Sequence, residues 1–240
     1  MQPRRPMAKQ TRPRPVSTAA HHLVIMAKEP VAGRVKTRLA SEIGTVTATW
    51  FYRHAMFAVI KRLSASSRWR AFLALTPATA ISSPIWPRKV GRFAQSGGDL
   101  GDRMQAIMKL PTFGPIVIVG TDIPSLEAKH VQAAFQVISK QSRSVLGPTP
   151  DGGFYLVGTA RTPRIPSPFE QVRWSSEHAR ADTIRNFGPS PPAQIACLSD
   201  VDTANDWRAV KTWSGRIVLP STVRTSISKI GKASEGAKII

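Results

Sequence analysis

The chain has 240 residues, 42% of them apolar, and carries 34 Lys plus Arg against 14 Asp plus Glu, a formal net charge of +20. This composition is typical of a soluble globular protein with one large domain or two small ones. The single cysteine, Cys197, excludes an internal disulfide framework and any multi-cysteine metal site, and fits a reducing compartment.

No apolar run reaches the roughly 18 residues of a membrane span, and residues 1–20 lack the apolar stretch of a secretory signal, so we expect a cytoplasmic protein. Residues 1–20 carry five basic residues and no acid, which predicts a disordered basic arm. Residues 214–240 are also basic and are predicted to form a flexible tail, leaving residues 21–213 as the folded domain.

Apolar runs and helical periodicity alternate through the centre of the chain. This alternation predicts an α/β domain with a mostly parallel central sheet and helices on both faces. Such sheets bind ligands at the carboxyl ends of their strands. The predicted strands are Leu23–Ala27, Ala71–Leu75, Ile116–Val119, Ser144–Leu146 and Phe154–Val157, and the predicted helices include Phe51–Val59, Val131–Ile138 with Ser125 as its cap, and Ala204–Val210 with a capping box of Thr203 and Asp206.

The first strand leads into a basic loop with the sequence AKEPVAGRVKTRL. A glycine loop entering a helix presents backbone N–H groups to an anion, and cations add charge-assisted bonds to phosphate. The loop lacks the GK[ST] ending of a Walker A motif. We interpret it as a phosphate-binding loop rather than a solvated basic surface, with candidate residues Lys28, Gly33, Arg34, Lys36 and Arg38.

The glycines of a second loop, QSGGDLGDRM, let the backbone come close to a ligand, and the loop also carries polar side chains that can contact it. Its candidate nucleotide-binding residues are Gly98, Asp99 and Arg103. Asp99 equally suits the cap of the helix that follows.

Three acidic positions follow or flank predicted strands. Asp122 comes directly after the all-apolar run Ile116–Val119, where a carboxylate suits a hard divalent cation that shares its ligands with phosphate; the alternative is a helix cap. Asp151 precedes two glycines and suits either a shared pocket or an Asp–Gly turn between strands. Asp202 lies before the last predicted helix and suits a cap, a supporting acid or a ligand.

No HExxH or GxSxG motif points to a zinc protease or a serine hydrolase.

Six segments together resemble the radical-SAM/selenodomain-associated transferase family, over about residues 23–210. They are the two loops, VGTDIPSL, GPTPDGGFYLVG, the Trp174–Ser175–Ser176 segment and DVDT. The resemblance implies a glycosyltransferase-A-like, nucleotide-diphospho-sugar transferase fold. Phe154 and Ser176 stand where Tyr and Thr are common in that family.

By this resemblance Asp122 would bind the metal, Mg²⁺ or Mn²⁺, and Arg34, Lys36 and Arg38 would lie along the nucleotide phosphates. Asp151 and Asp202 match acids of the family's motifs and become candidates for the general base. The implied partners are a nucleotide sugar or nucleotide, an unknown small acceptor and a radical-SAM pathway protein.

Three functions stay open on the sequence. The leading one is metal-dependent glycosyl transfer from a nucleotide-diphosphate sugar to a small acceptor. The second is nucleotidyl transfer, because 2-phospho-lactate guanylyltransferases share a similar set of loops. The third, nucleic-acid binding, is disfavoured because part of the positive charge lies in the two ends and no basic, aromatic-rich strand is present.

Overall fold

The computed structural model describes residues 21–111, 114–140, 143–161 and 164–211. The predicted basic arm (1–20) and tail (214–240) lie outside the described residues. The strands are β1 (His22–Lys28), β2 (Arg70–Thr76), β3 (Gly91–Ala94), β4 (Ile116–Val119), β5 (Ser144–Pro148), β6 (Phe154–Thr159) and β7 (Ala193–Gln194). The helices are α1 (Thr37–Ile43), α2 (Thr45–Ser64), α3 (Leu100–Met108), α4 (Ala128–Lys140), α5 (Ala179–Asn186) and α6 (Ala204–Lys211), with a 3₁₀ helix at Ala78–Ser82.

The strands form one sheet in the order β3-β2-β1-β4-β6-β5-β7. Strand β6 is antiparallel to both neighbours, β4 and β5, and the remaining pairings are parallel. The chain builds outward from β1 to β3 and then returns to place β4 on the other side of β1. The point between β1 and β4, where the strand order reverses, is where open α/β sheets bind their ligands.

Each face of the sheet is covered by different elements. One face packs against α2 and α4, represented by Met56 and Phe135. The other face packs against α3 and the segment around Phe169, with Met104 in contact. Strand β4 is buried at all four positions, as its uninterrupted apolar run predicts. The expected α/β architecture is therefore confirmed.

Helix α6, the last helix among the described residues, is held by a separate apolar cluster that includes Leu39 of α1, Phe51 of α2 and Trp207 of α6. Burying one such large side chain contributes about 1.5–3 kcal/mol. This cluster fixes the chain just before α6 against the start of α1, and so brings the first and last predicted motifs together.

The sequence patterns did not predict two strands and placed the start of one helix wrongly. Strands β3 and β7 are short and half-exposed, so they carry no long apolar run. The expected cap Ser125 is wrong because α4 begins later, at Ala128, where the Glu127 N–H donates to His130 Nδ1 at 2.9 Å. None of the helices described is long and apolar enough to cross a membrane.

Candidate functional site

An open pocket of about 690 Å³ lies at the carboxyl edge of the sheet, over the point between β1 and β4. This volume falls in the range of small-molecule and cofactor sites. Its lining combines strand ends with the loops that follow them. The charged or phenolic lining residues are Lys28, Arg38, Tyr52, Asp122, Asp151, Tyr155, Glu177, Asp200 and Asp202.

Lys36 lies directly behind the charged side of this pocket, outside its lining, with a side chain that is only 7% exposed. Its Nζ donates to Asp202 Oδ1 at 2.7 Å and lies 3.4 Å from Asp122 Oδ1. Asp122 follows β4, whereas Asp202 precedes α6. One ammonium group therefore joins the loop after β1, the end of β4 and the start of the last helix.

The backbone of Lys36 is left-handed, with φ 47° and ψ 48°, immediately before α1. This conformation is costly for a residue with a side chain and persists where the surroundings hold it. Here the ion pairs of the buried Lys36 ammonium and the buried Leu39 in the next turn hold the loop in place. The turn that precedes them contains Gly33 at φ 76°.

Asp202 is positioned by the start of α6. The Asp206 carboxylate accepts the N–H groups of Thr203 (2.8 Å) and Asp202 (3.2 Å), and the Asp206 N–H donates to Thr203 Oγ1 at 3.2 Å. Glu42 of α1 accepts the N–H of Ala204 at 3.1 Å. The predicted capping box of Thr203 and Asp206 is confirmed, and it aims Asp202 at Lys36.

Electrostatics keep Lys36 charged. Burial disfavours its ammonium form, but Asp122, Asp202 and Asp200 outweigh that effect, so the pKa of Lys36 is raised above its ordinary value. The site therefore contains a permanent buried cation surrounded by carboxylates.

Asp200 behaves in the opposite way. Burial, together with the nearby charges of Asp202 and Asp151, raises the pKa of the Asp200 carboxyl to about 6, and Lys36 offsets part of this rise. Asp200 lines the pocket and can hold or release a proton near neutral pH. The sequence pattern did not single out Asp200, although its place two residues before Asp202 was a signal.

Tyr52 of α2 fixes the end of β1 beside Asp122. Its hydroxyl donates to the Lys28 carbonyl at 3.0 Å and accepts the Lys28 N–H at 3.1 Å. Burial and the neighbouring Asp122 raise the pKa of Tyr52 to about 12, so its hydroxyl stays protonated. The sequence pattern marked this region only as an apolar helix face and missed the hydroxyl.

The basic loop divides into three parts. Lys28 and Arg38 line the pocket, and Arg38 Nη1 lies 3.9 Å from Asp202 Oδ2 while its side chain is 74% exposed. Lys36 lies beneath them among the carboxylates. Gly33 and Arg34 are exposed and are not part of the pocket lining.

The second glycine-rich loop is held mainly by its own bonds. The Asp99 carboxylate accepts the Asp102 N–H at 2.9 Å, and the Asp102 carboxylate accepts the Asp99 N–H at 3.0 Å, which confirms Asp99 as a helix cap. Arg103 Nε donates to the Gly98 carbonyl at 3.1 Å. This segment borders the pocket through Gln95, Leu100 and Met104, whereas Gly98, Asp99 and Arg103 are not part of the lining.

Asp151 lies in the turn between β5 and β6. Its Oδ1 accepts from Thr149 Oγ1 at 2.5 Å and from the Gly153 N–H at 3.0 Å. The turn between two strands is confirmed, and Asp151 lines the pocket as well. Asp122, by contrast, does not cap α4, because that helix begins several residues later at Ala128.

The wall of the pocket nearest to α3 consists of Phe154, Trp174 and Ser175, which we call the Trp174 wall. The ring centroids of Phe154 and Trp174 are 6.2 Å apart in an edge-to-face arrangement. Asp182, 4% exposed at its side chain, accepts from Arg173 Nε at 2.8 Å and from Arg173 Nη2 at 2.9 Å. This pair fixes the chain directly before Trp174.

The donor set suits a divalent cation that is only partly enclosed by protein. The Asp122 side chain is 54% exposed in the pocket and supplies hard carboxylate oxygens. In the part of the chain that the structure describes, no three acidic, histidine or cysteine side chains converge on one ion position. Asp122 thus offers an ion a single exposed carboxylate, and water or other groups would have to supply the remaining ligands.

Comparisons with known proteins agree with this architecture. A family model described as an uncharacterized protein conserved in bacteria (DUF2064) matches residues 59–176, just under half of the chain. No curated protein matches the chain in sequence.

Solved structures extend the likeness to the whole fold. A protein of Desulfovibrio desulfuricans G20, provisionally assigned as a nucleotide-diphospho-sugar transferase, is 24% identical over 93% of this chain and 100% of its own, with a TM-score of 0.75. The 4-diphosphocytidyl-2C-methyl-D-erythritol synthase of Anaerococcus prevotii DSM 20548 is 8% identical over 81% of this chain and 98% of its own, with a TM-score of 0.55.

A third structure, a CMP:2-keto-3-deoxy-manno-octonic acid synthetase complexed with CTP, is 12% identical over 81% of this chain and 98% of its own, with a TM-score of 0.50. These similarities bear out the fold expected from the sequence motifs. The chain has the α/β fold seen in a provisionally assigned nucleotide-diphospho-sugar transferase, in a diphosphocytidyl synthase and in a synthetase complexed with CTP.

Proposed function

We propose that the protein is a transferase that uses a nucleotide-diphosphate sugar as donor and moves the sugar to a small acceptor. The observation that carries the proposal is the arrangement of Lys36 between Asp122 and Asp202 at the carboxyl edge of the sheet. Lys28 and Arg38 line the pocket beside it. Together these residues suit the diphosphate group of a nucleotide.

The difficult step of such a transfer is departure of the nucleoside diphosphate, whose negative charge grows as the glycosidic bond breaks. Lys28 and Arg38 would bind the phosphate oxygens directly, because charge-assisted bonds are the strong ones. Lys36 would neutralise Asp122 and Asp202 from beneath, so that these carboxylates do not repel the phosphates. Arg34 would extend the basic surface outside the pocket.

Asp122 would hold the divalent cation, with water and phosphate oxygens as the other ligands. A bound Mg²⁺ or Mn²⁺ supplies Lewis-acid neutralisation of the phosphate charge. Lys36 limits how negative this position is before a nucleotide arrives, because its ammonium already lies 3.4 Å from Asp122 Oδ1.

An inverting transfer needs a base for the acceptor hydroxyl. Asp151 and Asp202 are the candidates that the sequence motifs offer. Asp202 is engaged by Lys36, and Asp151 Oδ1 is engaged in its own turn. The structure adds Asp200 as a third candidate, since it lines the pocket with a pKa raised to about 6.

Nucleotidyl transfer is the second candidate function. The fold is shared with a CMP-sugar-acid synthetase that binds CTP and with a diphosphocytidyl synthase. In that chemistry the same cations would stabilise departing pyrophosphate while a substrate phosphate attacks the α-phosphate. The acceptor would then be a phosphorylated small molecule. A radical-SAM pathway partner stays a prediction from the family resemblance.

The first experiment is a thermal-shift panel of nucleoside diphosphates, triphosphates and nucleotide sugars, each with Mn²⁺ and with a chelator. A ligand at about 100 times its Kd stabilises the folded form by about 2.7 kcal/mol. We expect stabilisation by nucleotides that carry at least a diphosphate. The proposal is wrong if no nucleotide changes the melting temperature.

The second experiment separates the two reactions. The purified protein is incubated with Mg²⁺ and either labelled nucleoside triphosphates or labelled nucleotide sugars, with candidate acceptors. Release of nucleoside diphosphate from a nucleotide sugar supports glycosyl transfer. Release of pyrophosphate with labelling of a phosphorylated acceptor would replace it with nucleotidyl transfer.

A further inference from the structure

We propose that the Trp174 wall binds a neutral, hydroxyl-rich ring, that is, a sugar or a similar cyclic polyol. The proposal rests on the proposed function, because it assigns the part of the substrate that lies beyond the phosphates. Such a ring has two sources, the sugar of the donor and the acceptor, and the experiment below distinguishes them.

Charge separates the two sides of the pocket. Among the described residues, the cations that line it are Lys28 and Arg38, from the ends of the first basic loop. The lining near the Trp174 wall offers the carboxylates of Asp151 and Glu177 and the hydroxyl of Ser175 instead. Lys36 balances Asp122 and Asp202, whereas among the described residues no lysine or arginine forms an ion pair with Asp151 or Glu177. These two carboxylates would therefore repel a phosphate, but ligand hydroxyl groups can donate hydrogen bonds to them.

One arginine on this side of the pocket is engaged with the backbone. Arg180 of α5 donates from Nη1 to the Thr149 carbonyl at 3.2 Å and is not part of the pocket lining. Asp151 uses Oδ1 for both bonds of its turn, so Oδ2 can accept from a ligand. The wall therefore pairs an aromatic surface with hydrogen-bond acceptors and a hydroxyl, the mixture that orients a neutral polar ligand.

Trp174 is held in place before any ligand arrives. Its ring packs against Phe154 and Phe169, with each pair of ring centroids 6.2 Å apart. On the α3 side, a Cβ at Gly101 would come within 2.9 Å of Trp174 Cζ2, so the ring already lies against the helix backbone. A surface that is fixed in advance loses little conformational freedom when it binds.

The backbone around Trp174 is equally constrained. Gln171 (φ 53°) and Ser175 (φ 57°) are left-handed although neither is glycine. Arg173 is held by Asp182, and the Ser176 hydroxyl donates to the Arg173 carbonyl at 2.6 Å. Such strained residues concentrate at ligand-binding segments.

The test uses the full chain labelled with 5-fluorotryptophan, which gives one ¹⁹F resonance for each of the six tryptophans. Trp174→Phe identifies the Trp174 resonance, and Trp50→Phe identifies a control resonance on α2. Protein saturated with UDP, CDP or GDP is titrated with glucose, galactose, N-acetylglucosamine and myo-inositol. A parallel series uses the corresponding nucleotide sugars without free sugar.

We expect the Trp174 resonance to move with a sugar probe and the Trp50 resonance to stay. A response to free sugar assigns the wall to the acceptor, and a response to nucleotide sugars alone assigns it to the donor sugar. If a nucleoside diphosphate alone produces the full shift, the wall faces the base and the proposal is wrong. It is also wrong if no probe moves the Trp174 resonance.

A second measurement compares Trp174→Ala with Trp174→Phe. Loss of the aromatic ring should weaken binding of the responding sugar probe by about five- to tenfold, while Trp174→Phe should recover most of it. The nucleoside diphosphate thermal shift should be unchanged in both variants. Absence of any nucleotide shift in the parent protein would remove the proposed function itself, which is a different result from loss of the sugar response alone.

Discussion

The two ion-paired centres beside the pocket are built in opposite ways. In the first, the cation is buried and the acids are exposed: Lys36 is 7% exposed, whereas Asp122 and Asp202 are 54% and 38% exposed. In the second, the acid is buried and the cation is exposed: Asp182 is 4% exposed and Arg173 is 56% exposed. The group that is exposed in each centre determines which ligand or backbone group that centre can contact.

The Lys36 centre presents carboxylates to the pocket while keeping their charge balanced from below. It can therefore meet a cation and a phosphate at the same place. The Arg173–Asp182 centre presents a guanidinium that is tied by two side-chain bonds to a single buried acid. Its effect is to fix the backbone before Trp174. Under our proposal, nucleotide binding belongs to the first centre and positioning of the wall to the second.

The largest expected effect on nucleotide binding belongs to Asp122→Asn. This change keeps the size of the side chain and removes its charge, so the Mn²⁺-dependent part of the thermal shift should disappear. That part reaches about 2.7 kcal/mol when the ligand is at about 100 times its Kd. The measurement is the thermal-shift panel with Mn²⁺ and with chelator. An unchanged difference between the two conditions would contradict the assignment of Asp122.

Lys36→Met should have the next largest effect. It removes the ammonium that balances Asp122 and Asp202 while keeping an unbranched apolar chain. Loss of a charged hydrogen bond costs about 1.5–3 kcal/mol, so we expect nucleoside diphosphate binding to weaken roughly 10- to 100-fold, measured by calorimetry. Lys36→Arg, which keeps the charge, is the matched control and should retain more affinity. Equal losses in both variants would show that the charge is not what matters.

The third prediction concerns pH. The pKa of Asp200 is about 6 in the folded protein against 3.8 as the ordinary value, so the folded form binds the proton more tightly. The contribution of protonated Asp200 to the free energy of unfolding is therefore fully present below about pH 4, and it is lost as the pH rises to about 6. Asp200 is partly exposed, so solvent screening limits the effect to on the order of 1 kcal/mol.

Asp200→Asn replaces the carboxyl by a neutral group of the same shape. Chemical denaturation in chelator should show this variant to be more stable than the parent at pH 7 and equal to it near pH 4. A variant that loses stability at pH 7 would contradict the raised pKa.

The smallest effect on nucleotide binding is expected for Asp182→Asn. The buried carboxylate accepts two side-chain bonds from Arg173, which hold its pKa far below the usual range, and Arg185 Nη1 lies 3.2 Å from it. The variant should melt at a lower temperature because these charge-assisted bonds weaken. Nucleoside diphosphate affinity should stay within about twofold, since separate sites act independently. If nucleoside diphosphate affinity falls as far as in Lys36→Met, the Arg173–Asp182 centre also takes part in nucleotide binding, and the separation of roles between the two centres is wrong.

The sequence by itself determined the elements with a strong local signal. The apolar run of β4 predicted its burial on both faces, and the spacing of Thr203 and Asp206 predicted the start of α6. Because the carboxyl ends of parallel strands share one edge, the sequence also favoured a common location for Asp122 and left a shared pocket as one of two alternatives for Asp151; both residues line the pocket.

Tertiary structure decided which charges meet. Lys36 and Asp202 are separated by 166 positions, and nothing in local periodicity pairs a particular lysine with a particular aspartate. The burial of Asp182 in a short polar helix, and the direction of β6, likewise depend on neighbours that lie far along the chain. Local patterns record which face of an element is apolar, whereas the partner of a polar side chain is fixed only when separate elements pack together.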